Sequence, residues 1–266
     1  MAKTRIAIYG AAGRMGRRLI ALAKQDAELE VVAAIDAADH PKLGCDVGEL
    51  AGIGPIGLKL AGRLPEAAAV DVLIDFSRPD ATDALLALCL KRKIGLVYAT
   101  TGASTEQLLR IKEAAQTIPV LWSPSMSLTV NLTMKLAQMA AHALADQDAD
   151  VEIIEKHHRY KADAPSGTAL KFGRIISEQM GLTEAVHGRV GKPGERPHNE
   201  IGYHAVRIGD NPGEHTILFG LLGETIELTV KATSRDAYAI GALSAAKYLR
   251  DKPAGKLHSM NDVLNL

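Results

Sequence analysis

The sequence predicts an α/β chain in two domains, a parallel-sheet domain followed by an α+β domain with a mixed or antiparallel sheet. Three observations carry that expectation. Short apolar, β-branched runs alternate with helical stretches as far as Trp122. Beyond it, strands follow one another in hairpin-like succession with few helices. A glycine-rich turn joins the first strand to the first helix. Apolar strands separated by helices of about three turns fit a parallel sheet covered on both faces.

Taken in order, Arg5 to Tyr9 reads as a strand, Gly13 to Gln25 as a helix, and Leu29 to Ile35 as a second strand. Residues 39–65, with five glycines between Gly44 and Gly57, read as a loop excursion. Val70 to Phe76 is the third strand, Ala81 to Arg92 a helix, Ile94 to Ala99 a strand, Thr105 to Gln116 a helix and Pro119 to Trp122 a strand. In the second part, Asn131 to Leu144 is a long helix with Leu132, Leu136, Met139 and Ala143 as its apolar face. Asp150 to His157 is strand-like, and Thr168 to Met180 is a helix. Three further strands are expected over Glu200 to Arg207, His215 to Leu221 and Glu224 to Ala232. Residues 187–199 read as a long mobile loop, and Ala237 to Arg250 as a final helix able to return to either domain.

Composition narrows the function classes. The 266 residues carry 31 Lys plus Arg against 31 Asp plus Glu, so neither a nucleic-acid binder nor a membrane-surface protein is favoured. Cys45 and Cys89 stand far apart, which rules out a disulfide scaffold and suits a reducing compartment. No apolar run approaches the ~18–20 residues that span a bilayer, and the N-terminus lacks signal-peptide character. A cytoplasmic location is expected.

The first motif is Gly10-Ala11-Ala12-Gly13-Arg14-Met15-Gly16, between a strand and a helix. Glycines there let the backbone approach a pyrophosphate, and the helix N-terminus offers N–H groups and the positive end of its dipole. The spacing departs from the strict G-x-G-x-x-G, but Asp36 closes the second strand about twenty residues beyond the last glycine. A carboxylate at that place accepts from ribose hydroxyls and repels a 2′-phosphate. Ala37 offers no balancing cation. NADH is therefore the expected cofactor, with NADPH tolerated at best, since Arg14 only partly compensates.

The second motif is the run from Glu155 to Ala169, E-K-H-H-R-Y-K-A-D-A-P-S-G-T-A. Adjacent histidines on a strand point to opposite faces, so at most one of His157 and His158 faces a given pocket. Lys161 and the helix start at Ser166-Gly167-Thr168 make an anion site, leaving a histidine available for proton transfer. The same run also reads as solvated histidines beside an ordinary Ser N-cap. Without nearby Cys or patterned carboxylates, no metal site is expected. Thr100-Thr101-Gly102 and Ser123-Pro124-Ser125-Met126-Ser127 end parallel strands, where crevice-lining loops belong. Asp210 to His215 reads equally as a plain hairpin turn.

These residues together resemble the 4-hydroxy-tetrahydrodipicolinate reductase (dihydrodipicolinate reductase) family, nearly end to end. The run from Glu155 to Ala169 matches its signature almost letter for letter. I-D-F-S-R-P at Ile74 to Pro79, T-T-G at Thr100 to Gly102 and G-E-H-T at Gly213 to Thr216 agree as well. The resemblance implies a dinucleotide-binding domain over 1–127 and 236–266, and a substrate-binding and tetramerisation domain over 128–235. It implies that Gly10, Ala11, Ala12, Gly13, Arg14, Met15, Asp36, Ala99, Thr100, Thr101, Ser123, Pro124, Ser125 and Met126 contact the cofactor. His157 would be the proton donor with Lys161 beside it, and His158, Gly167 and Thr168 would bind the carboxylates of a cyclic imine substrate. Whether His157 or Lys161 delivers the proton stays open at this level. Two departures fall in one loop: Ser125 replaces the family's usual asparagine, and Thr129 stands where glycine is common. The expected activity is NAD(P)H-dependent reduction of 4-hydroxy-tetrahydrodipicolinate by a homotetramer. A paralogue reducing another cyclic imine or dicarboxylate, or a non-catalytic cofactor-binding regulator, are the rival readings.

Overall fold

The computed structural model describes residues 2–266. The first part of the chain forms β1 (Thr4–Tyr9), α1 (Arg14–Gln25), β2 (Leu29–Ile35), α2 (Val47–Ala51), β3 (Leu60–Ala61), β4 (Val72–Asp75), α3 (Thr82–Arg92), β5 (Gly95–Tyr98), α4 (Thr105–Ala114) and β6 (Val120–Trp122). There follow α5 (Leu128–Ala143), β7 (Asp150–His157), α6 (Gly167–Met180), β8 (Glu184–His187), β9 (Glu200–Arg207), β10 (Glu214–Leu221) and β11 (Glu224–Lys231). The chain closes with α7 (Asp236–Leu249), β12 (Leu257–His258) and α8 (Met260–Leu264). Two units emerge, 1–128 with 236–266 and 129–235.

The first unit is a seven-stranded parallel sheet in the order β12-β6-β5-β4-β1-β2-β3, a Rossmann-like arrangement. β4 and β5 are buried at every position, as a sheet covered on both faces demands. On one face Leu19, Ile20 and Ala23 of α1 pack with Ala242, Leu243, Ala246 and Leu249 of α7 over Ile6, Ile8 and Ile74. On the other, Leu85, Leu86 and Cys89 of α3 and Ile111 and Ala114 of α4 cover Ala7, Leu73, Leu96 and Tyr98. The final helix thus belongs to the first unit.

Residues 39–65 are more ordered than a loop excursion. The Asp46 carboxylate accepts from the N–H groups of Gly48, Glu49, Ile56 and Gly57, which starts α2 and ties the return to β3 against β2. One acidic side chain organises this segment, and no periodic pattern announces it.

The second unit holds a five-stranded mixed sheet in the order β11-β10-β7-β9-β8. β10 runs antiparallel to both β7 and β11, while β7, β9 and β8 are mutually parallel. Its core joins Val130, Met134, Ala137 and Ala141 of α5 and Phe172 and Ile176 of α6 to Ile153, Ile201, Ile217 and Phe219. This corrects the expected core face of α5. Leu132, Leu136 and Met139 are 41%, 43% and 58% exposed, and Ala143 is exposed too. Both sets recur at i, i+4, i+7 and i+11, so spacing alone could not choose between them. The set with two alanines lies against the core. β8 was also unforeseen. Residues 188–199 are anchored, since Arg189 binds Glu152 and Glu200, and Arg196 binds Asp150, Glu152 and the carbonyls of Val151 and Glu200.

Candidate active site

In the first unit the strand order reverses between β1 and β4, the place where open α/β sheets bind ligands. A cleft of about 640 Å³ opens there, lined by Gly10, Ala12 and Gly13 after β1, Asp36 and Ala37 after β2, and Phe76, Ser77 and Arg78 after β4. Gly10 adopts φ +77° and donates its N–H to Ile35 O at 2.9 Å. A Cβ on Gly10 would lie 2.6 Å from Phe76 O, and one on Gly16 would lie 2.3 Å from Gly10 O. Glycine at both positions is therefore a steric requirement of the turn. Asp36 accepts from Ala12 N–H at 2.8 Å and from Ala37 N–H at 2.9 Å, which fixes its carboxylate at the rim of the glycine turn. These are features a dinucleotide requires: a bare backbone cradle, a helix N-terminus and a carboxylate at the end of the second strand.

The remaining first-unit residues expected to meet the cofactor do not line this cleft. Ala11 is buried beneath the turn, Arg14 opens α1 on the exposed side, and Met15 packs against the core. Ala99 and Thr100 are buried just after β5, while Thr101 is exposed. Thr100 Oγ1 donates to Asp75 Oδ2 at 2.7 Å and accepts from Ser77 N–H at 3.0 Å; Ser77 N–H also reaches Asp75 Oδ1 at 3.0 Å. Buried Asp75, its carboxyl pushed upward by desolvation, thus ties the β4 loop to the β5 loop. Ser123, Ser125 and Met126 are buried after β6, Pro124 is exposed, and Ser125 Oγ accepts from Ser127 N–H. Sequence reasoning left Phe76, Ser77 and Arg78 out of the cleft. The rule that flagged Thr100, loops at the carboxyl ends of parallel strands, applied equally to them.

The second unit gathers a different chemistry. Strand register sets Glu155 opposite His215 and His157 opposite Arg207, so all four lie on the helix-covered face of the sheet. Glu155 is fully buried. Its Oε2 lies 2.6 Å from His157 Nδ1, Arg207 reaches its two oxygens at 2.8 Å each, and Ser166 N–H donates to Oε1 at 3.0 Å. Those donors hold the Glu155 carboxyl below its usual range despite the opposing cost of burial. Burial pushes the His157 pKa down, against the pull of Glu155.

Ser166 caps α6 by accepting from Ala169 N–H at 3.1 Å, and its Oγ lies 2.9 Å from His215 Nε2. Desolvation lowers the His215 pKa to about 4. Gly167 and Thr168 open the helix at this cap, and Lys161 pairs with Asp163 at 2.8 Å. His158 lies just past the strand, with Nδ1 buried and no hydrogen-bond partner among the described residues. The two histidines therefore occupy separate environments. Arg207 and His215 were absent from the expected site because only strand register brings them to Glu155. Among the described residues, no group of three or more His, Cys, Asp or Glu side chains is placed to hold a metal ion. No helix among them is long and apolar enough to cross a membrane.

A Rossmann-like unit with a dinucleotide cradle, joined in one chain to a unit with a buried His–Glu–Arg cluster, defines a nicotinamide-dependent oxidoreductase. Models of the dihydrodipicolinate reductase N-terminus and C-terminus match residues 4–126 and 129–264. The 4-hydroxy-tetrahydrodipicolinate reductase of Rhodopirellula baltica is 53% identical over 98% of this chain and 96% of its own. That of Alkalilimnicola ehrlichii is 48% identical over 99% of both chains. The structure of dipicolinate-bound dihydrodipicolinate reductase from Paenisporosarcina sp. TG-14 matches with a TM-score of 0.78, at 26% identity over 97% of each chain. The chain belongs to the dihydrodipicolinate reductase family.

Proposed function

We propose that the protein reduces 4-hydroxy-tetrahydrodipicolinate to tetrahydrodipicolinate with a nicotinamide cofactor, in diaminopimelate and lysine biosynthesis. The observation that carries this reading is the run from Glu155 to Ala169, where His157 is held by a buried carboxylate beside an N-capped helix start. The substrate is a cyclic imine with two carboxylates, and loss of its hydroxyl as water leaves a conjugated, electrophilic ring. The dinucleotide would be held by the Gly10–Gly13 turn and Asp36, and when bound it supplies the hydride. The residues of the chain do the rest. Lys161, His158 and the N–H groups at Gly167 and Thr168 bind the carboxylates. His157, buried but linked to Glu155, gives the proton that completes the reduction.

NADH is the favoured cofactor in this reading, because Asp36 stands at the ribose position with neutral Ala37 beside it. Residues 129–235 also serve assembly into a homotetramer. The face of the second sheet away from its core leaves Ile154 and Leu218 half-buried and Val206 38% exposed, which suits a partner surface. Light scattering should then give four times the 28.3 kDa chain mass; a monomer mass would remove the tetramer.

The test of function is an assay with substrate generated in situ, following nicotinamide oxidation with NADH and NADPH separately. Rapid oxidation, faster with NADH, is the expected outcome. Tight NADH binding without turnover would transfer the protein to a paralogous activity, with the Ser123–Thr129 loop as the altered element.

A further inference from the structure

The donors around Glu155 decide more than the placement of His157. A buried carboxylate that accepts two bonds from Arg207 and one from Ser166 N–H stays ionised, and an ionised carboxylate only accepts. The bond at 2.6 Å to His157 must therefore be donated by Nδ1, whatever the charge of the ring. The other nitrogen meets a different surface. A Cβ on Gly213 would lie 3.0 Å from Nε2, and Gly213 sits at φ +147°, a conformation that favours glycine. The chain thus leaves bare backbone beside one imidazole nitrogen and a fixed anion beside the other.

We propose that Glu155 is the positioning residue of proton transfer: held ionised by Arg207, it keeps a proton on His157 Nδ1, so that Nε2 alone gives up and regains the catalytic proton. This rests on the reading of His157 as proton donor. In the step itself, hydride addition leaves an electron pair on the conjugated ring. The Nε2–H bond of the imidazolium breaks as that pair takes the proton. The imidazole is left neutral, with Nδ1–H still donating to the Glu155 carboxylate, and Nε2 recovers its proton from hydronium in the solvent. Arg207 prevents a competing outcome, in which Glu155 would take the Nδ1 proton and His157 would lose its orientation.

Two measurements test this. The first uses the wild-type full chain with nitrogen-labelled histidine, observed by NMR above the titration of His157, whose signal is assigned by its loss in His157→Gln. The expected neutral form carries the proton on Nδ1, and finding it on Nε2 overturns the proposal. The second uses Glu155→Gln. Its kcat should fall at least tenfold with the cofactor KM within about twofold. The alkaline limb of its kcat/KM profile should also move to lower pH by about one unit, since an anion beside the ring is gone. The other groups facing His157 are Lys161 on the following loop, Arg207 on β9 and His215 on β10, and all remain in the variant.

A role in folding alone would lower the amount of folded enzyme and leave the kcat of the folded fraction unchanged. An unchanged kcat and limb in Glu155→Gln, with kcat collapsed in His157→Gln, removes Glu155 from the mechanism. Full activity in His157→Gln would instead remove the underlying reading. Should Glu155→Gln fail to fold with Arg207 unpaired, Glu155→Gln with Arg207→Met removes an anion and a cation together, so its pH limb stays near the wild-type position and the criterion is a kcat at least about tenfold lower at a cofactor KM within about twofold; an unchanged kcat overturns the proposal.

Discussion

Asp36 braces the glycine turn at the position proposed to read the cofactor ribose. It accepts from Ala12 and Ala37 N–H groups, so the carboxylate that would meet the ribose also braces the glycine turn. Replacing Asp36 by Ala and Ala37 by Arg removes an anion and adds a cation where a 2′-phosphate would lie. The ratio of kcat/KM for NADPH to that for NADH should rise by about tenfold or more, a change of ~1.4 kcal/mol. A ratio that stays put would show that this strand end does not read the ribose. Asp36 was legible in the sequence because its distance from the glycine turn is fixed within one βαβ unit. Arg207 was not, since its partner Glu155 lies 52 positions away and only parallel register aligns the two strands.

At the scale of elements, the core-facing side of β10 carries an unusual group. His215 is buried between His157 and Phe172, and its pKa is lowered to about 4. The unfolded chain binds that proton near pH 6.5, whereas the folded chain does so only near pH 4. Stability from this group is therefore complete above pH 6.5 and declines as pH falls towards 4, by on the order of 3 kcal/mol. Denaturant unfolding at intervals between pH 7 and pH 4.5 should record the slope, and His215→Phe should flatten it. An equal slope in the variant would assign the loss to other groups. Four of the five strands of this sheet were legible from their apolar patterns, and β8 was not. The buried side of α5 was not, because a helix apolar on two sides carries two equally valid stripes, and only the sheet decides which is covered.

For the whole molecule, the division of the chain matters most. The second unit is continuous and owns its core, from Val130 to Val230. The first is split, and α7 supplies seven buried residues to it, among them Ala242, Ala245 and Leu249 at no measurable exposure. Residues 129–235 expressed alone should therefore melt cooperatively by circular dichroism, whereas residues 1–128 alone should not. Joining 236–266 to 1–128 through a short linker should restore a sharp transition, because it returns the missing side of the core. Cooperative melting of 1–128 by itself would mean that α7 is dispensable.

The same split sets an order of events on the ribosome. The strands that lead into Gly10 and Asp36 are made before the second unit, yet the helix that covers their sheet, and β12 beyond β6, are made after it. The inserted unit is complete in the nascent chain before its host can close. Chaperones that hold exposed apolar strands should therefore act on the first 128 residues, and for as long as the remainder of the chain takes to emerge.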